Sequence, residues 1–431
     1  MTENQCRETA IGQLPLDWNV IKLGELVQIN GRIGWRGLKK LEFGNNGVLI
    51  INGPEIVDGK VDWSRCERVP QWRYDESPDI SVKIGDILLT KDGTIGKVAY
   101  IKDLPEPATL ASGIFLIRCG SQNDLLDRSY LYQYFNSPIF KSLVVSITEG
   151  SVIPHLYQRD IAELFIPVPP VSEQKAIAKI LCDLDSKIEL NQKMNKTLES
   201  ISQAIFKHWF IDFEFPNEEG KPYKSSGGEM VDSELGEIPK NWAIKKLDEI
   251  ANFLNGLPLQ KYPAITEEDY LPVIKIKEMN SGVSASSDKA RRDIPSEYII
   301  HNGDVLFAWS GTLGVTIWCN GEGALNQHLF KVSSNEYPKW FYYHWLLHYL
   351  PDFIEIARDK ATTMGHIQRH HLSESLVAVP DKNTFEIMNN VFNPLVDRII
   401  TLKVENEALT KARDLLLPQL ISGKIRVPLE D

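Results

Sequence analysis

The chain has 431 residues, too many for one ordinary core and enough for about two or three domains. Its composition excludes disordered and collagen-like classes. No apolar run reaches the roughly 18 residues of a membrane span, and the polar start MTENQCRETAIGQL lacks a signal-peptide pattern. Five scattered cysteines without a CxxC pair argue against a disulfide framework or zinc site and for a reducing cytoplasm, while a net charge of −11 argues against a nucleic-acid partner unless a basic face is local.

Residues 1–170 read as a mixed domain, with short β-rich stretches such as VLIIN, DILLT and GIFLIRC between Gly and Pro turns. Within it, NGRIGWRGLKK gathers Arg32, Arg36, Lys39 and Lys40 around Trp35, a candidate phosphate-contacting loop; the plain alternative is a solvated charged surface. YLYQYF is either a stacking platform for bases or part of a core helix. PHLYQRD combines His155, Tyr157, Gln158 and Arg159. Gln and Arg suit bidentate readout of adenine and guanine, and they would equally serve to anchor the domain to its helix.

Residues 171–212 read as a long helix after Pro169 and Pro170, with Ser172 as N-cap. Residues 213–234 read as a Gly/Ser/acidic linker. Six acids and two lysines between Glu218 and Glu237 give this stretch −4, which leaves the flanking segments near charge balance. Residues 235–380 form a second mixed domain. DKARRD offers Lys289, Arg291 and Arg292, and GHIQRHH offers His366, Gln368, Arg369 and His370, with the same two readings. WFYYHWLLHYL matches YLYQYF. Residues 381–418 read as a second helix ended by Pro418, and 419–431 as a tail.

The chain is written twice. GQLPLDWNVIKLGEL returns as GEIPKNWAIKKLDEI, IGDILLTKDGTIG as NGDVLFAWSGTLG, and PHLYQRDI as GHIQRHHL. The offset drifts from 224 to 218 to 211, as insertions and deletions in surface loops would produce. From His155 and His366 onward it holds at 211. There both copies show a heptad seam: Leu184, Ile188, Asn195 and Leu198 in the first helix, Leu395, Ile399, Asn406 and Leu409 in the second. Asn195 and Asn406 occupy the same seam position, either as chance polar residues on a solvated helix or as buried groups that fix register. The expected fold is α+β, with two similar mixed domains joined by two long antiparallel coiled-coil helices in a pseudo-twofold arrangement.

Chemistry is sparse. The sequence has no GxxxxGK[ST], GxGxxG or GxSxG, and no NPPY- or FxGxG-like segment of an amino-methyltransferase. His366, His370 and His371 have helix-compatible spacing but no carboxylate or cysteine placed beside them, so no metal and no catalytic residue is expected.

The string SSGGEMVDSELGEIPKNW, the preceding FKHWFIDFE, the ending LLLPQLISGKI and the duplicated GHIQRHH-type loop closely resemble type I restriction-modification specificity subunits, along essentially the whole chain. The resemblance implies two target-recognition domains, each reading one half of an asymmetric bipartite site in double-stranded DNA. It also implies two methyltransferase subunits bringing S-adenosylmethionine and motor-nuclease subunits bringing ATP and Mg, with no cofactor in this chain. Two rivals stay open: a scaffold that reads no sequence, and a degenerate methyltransferase.

Overall fold

The computed structural model describes residues 6–32, 38–120, 125–148, 155–359 and 365–428. The chain folds as two compact units, Met1–Ser186 with Thr410–Asp431, and Lys187–Leu409. Both mix helix and strand, and among the described residues no helix is long and apolar enough to cross a membrane.

In the first unit β1 (Val27–Gly31), β2 (Ile87–Thr90), β3 (Val98–Tyr100) and β4 (Ile114–Cys119) form an antiparallel sheet ordered β3-β2-β4-β1. In the second unit β5 (Asn252–Asn255), β6 (Val305–Ala308), β7 (Gly314–Ile317) and β8 (Leu329–Ser333) repeat it in the order β7-β6-β8-β5. Successive side chains of a strand face opposite ways. Ile87 and Leu89 enter one core cluster while Leu88 enters another, and Val305 and Phe307 part from Leu306 and Ala308 in the same way. Burial on both faces is why these strands read as continuous apolar runs. A second small sheet backs each, with Val48–Ile51 parallel to Ala108–Leu110, and Leu271–Ile274 parallel to Gly323–Leu325.

Four helices matter here: α1 (Arg128–Asn136), α2 (Val171–Phe206), α3 (Lys339–Asp359) and α4 (Lys382–Ile421). Tyr130, Tyr134 and Phe135 of α1, and Trp340, Phe341 and Trp345 of α3, are buried in the cores. Their faces are covered and cannot stack on bases. Helix α2 begins at Val171, with Gln174 N–H bonding Pro170 O, so Ser172 lies in the first turn rather than at the cap.

The seam is apolar with polar interruptions. In the second unit Ile188, Asn191, Asn195 and Ser202 of α2 are buried, as are Met388, Phe392, Val396, Ile399 and Leu402 of α4. Leu184, Leu198, Leu395 and Leu409 are half-buried, and Val396 takes the deep position expected of Leu395. Asn191 Nδ2 donates to Glu405 Oε2 at 2.9 Å, and Asn406 Nδ2 donates to the Ile188 carbonyl at 3.2 Å. Together with the Phe206–Phe392 contact, these bonds set the helices antiparallel. Asn195 is 6% exposed. The solvated reading does not hold for Asn195, yet its buried Oδ1 has no partner among the described residues; the cross-seam bonds of the register-fixing kind come from Asn406 and Asn191.

The first unit is closed by a segment remote in sequence. Trp18 is fully buried beneath Leu417, Leu420 and Ile421, so α4 runs three residues past Pro418, its last turn held by packing despite the missing N–H. Gly423 follows at φ +70°, where a Cβ would stand 2.6 Å from Pro15 Cδ, so the chain can turn over Trp18 only with glycine there. Trp18 Nε1 donates to Glu173 Oε2, and Arg426 bonds both Glu173 oxygens (2.6 and 2.9 Å) and both Asp17 oxygens (3.1 and 2.7 Å). In the second unit Phe206, Phe210, Phe213 and Phe215 share the core with Trp242. Phe213 and Phe215 belong to the stretch read as linker, and Met230–Ser233 of that stretch pairs with Gly236–Pro239.

Two outcomes are expected. Arg426→Ala leaves Glu173 as a buried carboxylate without its cation. It should lower the urea-unfolding free energy of the first unit by about 2 kcal/mol, less than a wholly buried pair because Arg426 is partly exposed. Arg426→Met with Glu173→Gln should recover most of that loss, and a simple sum of the two single effects would show the pair is not coupled. The second concerns His344 of α3, whose Nδ1–H donates to Trp340 O and whose Nε2 accepts from Ser202 Oγ. Burial pushes its pKa down to about 4, so the folded state keeps it neutral. The unfolded imidazole takes up a proton at about 6.5. Stability is therefore whole above that value and falls by about 1.4 kcal/mol per pH unit as pH drops toward 4. Denaturation of His344→Phe across this range should show a visibly flatter slope.

Candidate nucleic-acid interface

In each unit the two duplicated strings meet at one end of the four-stranded sheet. The loop after β2 (Lys91–Gly96) and the segment from His155 lie together, with Leu156 N–H bonding Lys91 O at 3.1 Å. The loop after β6 and the segment from His366 do the same, with Ile367 N–H bonding Trp309 O at 3.0 Å. The next anchor is also repeated: Gln158 Nε2 donates to Ile29 O (2.7 Å), and Arg369 Nη2 donates to Phe253 O (3.2 Å). Ile29 and Phe253 are separated by 224, the offset of the first duplicated string.

On this shared backbone sit different side chains. In the first unit His155 Nδ1 bonds the Asp92 carboxylate, and Tyr157 meets the His155 ring edge-on at 4.7 Å. Lys91 Nζ lies 4.8 Å from the Phe115 ring centre, and loss of water there holds its amine below the ordinary lysine range. In the second unit Trp309 Nε1 donates to Asn255 Oδ1 (3.0 Å), Ser310 Oγ meets His328 Nδ1 (3.0 Å), and Ser310 forms a backbone bridge with His366. Glycines lie opposite Lys91 and Asp92 in the first unit. A Cβ on Gly31 would lie 3.5 Å from Lys91 Nζ, and one on Gly113 would lie 3.6 Å from Asp92 Cβ.

The residues proposed from the sequence fare unequally. His155, Tyr157, Gln158, His366 and Arg369 come together with these loops, as described. The amide of Gln158 and the guanidinium of Arg369 are spent on anchoring, to the sheet rather than to a helix. Arg159, 87% exposed at its side chain, and Gln368 and His370 lie at the surface beside them. Arg32 needs correction: it is 3% exposed and bonds Leu110 O, Thr109 Oγ1 and Glu76, so no phosphate can reach it. Lys39 is exposed. Trp35 and Arg36, and the side chain of Lys40, lie outside the described residues. Lys289 is paired with Glu267, Arg291 with Asp293, and Arg292 with Asp269 and Glu322. Such exposed pairs are weak enough to exchange for phosphates. Lys91, Asp92, Asn255, Trp309, Ser310 and His328 were missed. The signal was present: within matching D-[IV]-L and G-T-[IL]-G, the two copies read Lys-Asp against Trp-Ser.

The sequence reading found no carboxylate beside the histidines, and the structure supplies one: Glu374 groups with His370 and His371, their ligand atoms within 4.8 Å of one another. The set suits a metal poorly. His371 Nδ1 accepts the Gln368 N–H at 3.0 Å, which puts the ring proton on Nε2 and removes that nitrogen as a ligand while the helix cap stands. A cleft of about 650 Å³ in the second unit is lined by Asp248, Glu249 and Glu336 against Arg369 alone, a sign unsuited to phosphate.

The repeated anchor predicts a local effect. Gln158→Ala removes the bond to Ile29 O, worth about 1 kcal/mol. Amide exchange at Leu156, whose N–H depends on the same loop, should speed up several-fold while the sheet amides stay protected. Unchanged exchange at Leu156 would show that the loop is held by other contacts.

Residues 15–200 and 239–410 match the family model described as type I restriction modification DNA specificity domain, once in each half of the chain. The MjaIX type I restriction enzyme specificity subunit of Methanocaldococcus jannaschii is 28% identical over 435 residues, covering 99% of this chain and 97% of that protein. The HindI specificity subunit of Haemophilus influenzae is 20% identical, covering 95% of this chain and 100% of its own length. The crystal structure of a type I restriction-modification S subunit from M. genitalium shares the fold, with a TM-score of 0.54 at 17% identity over 97% of both chains. With the family model matched in both halves, the chain belongs to the type I restriction-modification specificity subunits, the non-catalytic DNA-recognition members of such systems.

Proposed function

We propose that this chain reads double-stranded DNA with its two units, each taking one half of an asymmetric bipartite site. It would carry two methyltransferase chains and the motor-nuclease chains that bring S-adenosylmethionine, ATP and Mg, and it would act in the cytoplasm. The observation that carries the reading is the pair of matching frames, β2 with the His155 segment and β6 with the His366 segment, bearing unlike side chains. A twofold-repeated frame with one chemistry would suit an inverted repeat; two chemistries suit two different half-sites. The chain's net charge of −11, and the carboxylates paired with Lys289, Arg291 and Arg292, leave little phosphate attraction to this chain alone. Much of the sequence-independent affinity then falls to the partner chains.

The test is a domain replacement read by methylation. In the assembled modification complex, residues 235–370 are replaced by a second copy of the first recognition region, and methylated sites are sequenced. The target should become an inverted repeat of the first half-site. A motif that stays unchanged would show that the units are not the readers, and a native complex that selects no motif would make the chain a scaffold only.

A further inference from the structure

Five positions in the first unit and five in the second form the same neighbourhood. Gly31 faces Lys91 as Asn255 faces Trp309; Gly113 faces Asp92 as His328 faces Ser310; His155 joins Asp92 as His366 joins Ser310. Strand register fixes the correspondence without reference to the side chains. Gly31 pairs with Phe115 and Asn255 with Phe330, while Phe115 pairs with Leu89 and Phe330 with Phe307. The frame below is kept, down to the two phenylalanines. Above it, only the histidine is shared: Gly, Lys, Asp and Gly in one unit answer Asn, Trp, Ser and His in the other.

From this we infer that Lys91 and Asp92 in the first unit, and Trp309, Ser310 and His328 in the second, are specificity-determining residues, with Asp92 accepting from the exocyclic amine of a cytosine or adenine. The inference rests on the reading of the chain as a DNA reader and deepens it. A carboxylate is repelled by phosphates, so on a DNA-facing loop it is tolerated where it meets a base amine. Asp92 is nearly half exposed yet tied to His155, a fixed acceptor rather than a wandering one. It also rejects guanine and thymine at that base, whose major-groove oxygens would face it acceptor to acceptor. Lys91 stands next to it as a single-point donor, its ammonium resting 4.8 Å from the Phe115 ring centre. In the second unit the four answering positions carry no charged side chain, and the cation over the matching phenylalanine is instead Arg369, 5.6 Å from the Phe330 ring centre and bonded to Phe253 O. Trp309 is locked by Asn255, and His328 Nδ1 is committed to Ser310, so Nε2 is the ring atom that would meet a base.

The experiment uses the full chain assembled with its methyltransferase partners and a library of random-sequence duplexes, with methylated members sequenced. Asp92→Asn keeps an oxygen for the His155 bond but adds donors, and His328→Gln alters the other unit. The Asn variant should lose about tenfold of its preference at one base of one half-site, equivalent to about 1.4 kcal/mol, with the other half-site unchanged. His328→Gln should do the reverse. Lys91→Gln, which removes the ammonium over Phe115 and leaves the main-chain bond from Leu156 in place, should disturb the same half-site as Asp92→Asn. The untouched half-site reports in each case that the chain is folded. An Asn variant with an unchanged motif, or one whose activity falls equally on all sequences, overturns the inference while the DNA-reading role stands. A native complex without any motif overturns that role and the inference together.

Discussion

The two buried tryptophans set the terms for the rest of the structure. Trp18 lies in a unit that its own N-terminal sequence leaves open, Trp242 in one continuous stretch, and each is covered by the far end of a long helix. A ring of that size left in water would forfeit about 2–3 kcal/mol of apolar burial, so the cover is not optional. In the first unit the cover also brings Arg426 to Glu173, which holds the indole N–H; without the cation, that carboxylate would be a buried charge. Since the cover for Trp18 comes from residues 417–426, the first unit cannot be complete until nearly the whole chain has been made.

The same economy appears at the sheet ends. Main-chain bonds and one side-chain anchor, Gln158 or Arg369, hold each loop, and the side-chain contacts of Asp92, Trp309 and Ser310 are added on top of that frame. Backbone-held loops can change their exposed chemistry without refolding, because the bonds that fix them survive substitution. Gln158 and Arg369 are a case in point: unlike side chains, each reaching the same strand carbonyl.

Polar residues in the helix seam serve a different end. Asn191 and Asn406 place donors across the interface, to Glu405 and to the Ile188 carbonyl, where leucines would add apolar burial. A leucine seam tolerates sliding by a heptad, whereas these bonds are satisfied in one register only. Register matters within the second unit because Phe206 and Phe210, which pack toward Trp242, also meet Phe392 of α4: a slip of one heptad would part them.

By itself the sequence determined the α+β class, the duplication, the long helices and the family, since these rest on local signals. Heptad spacing, alternating or continuous apolar runs and repeated strings survive in one dimension. It left the aromatic strings open between a stacking surface and a core helix, and their burial was decided by the fold. Only the tertiary structure decided the rest. Arg32 looks basic and available in NGRIGWRGLKK, yet Leu110, Thr109 and Glu76, distant in sequence, bury it. Helix α4 passes Pro418 because Trp18, 400 residues earlier, offers Leu420 and Ile421 more burial than the lost N–H costs. Asp92 and Ser310 stood unnoticed among loop residues until strand pairing brought each against its histidine. In every instance the deciding partner lies far along the chain, and a local pattern carries no information about a contact that only folding creates.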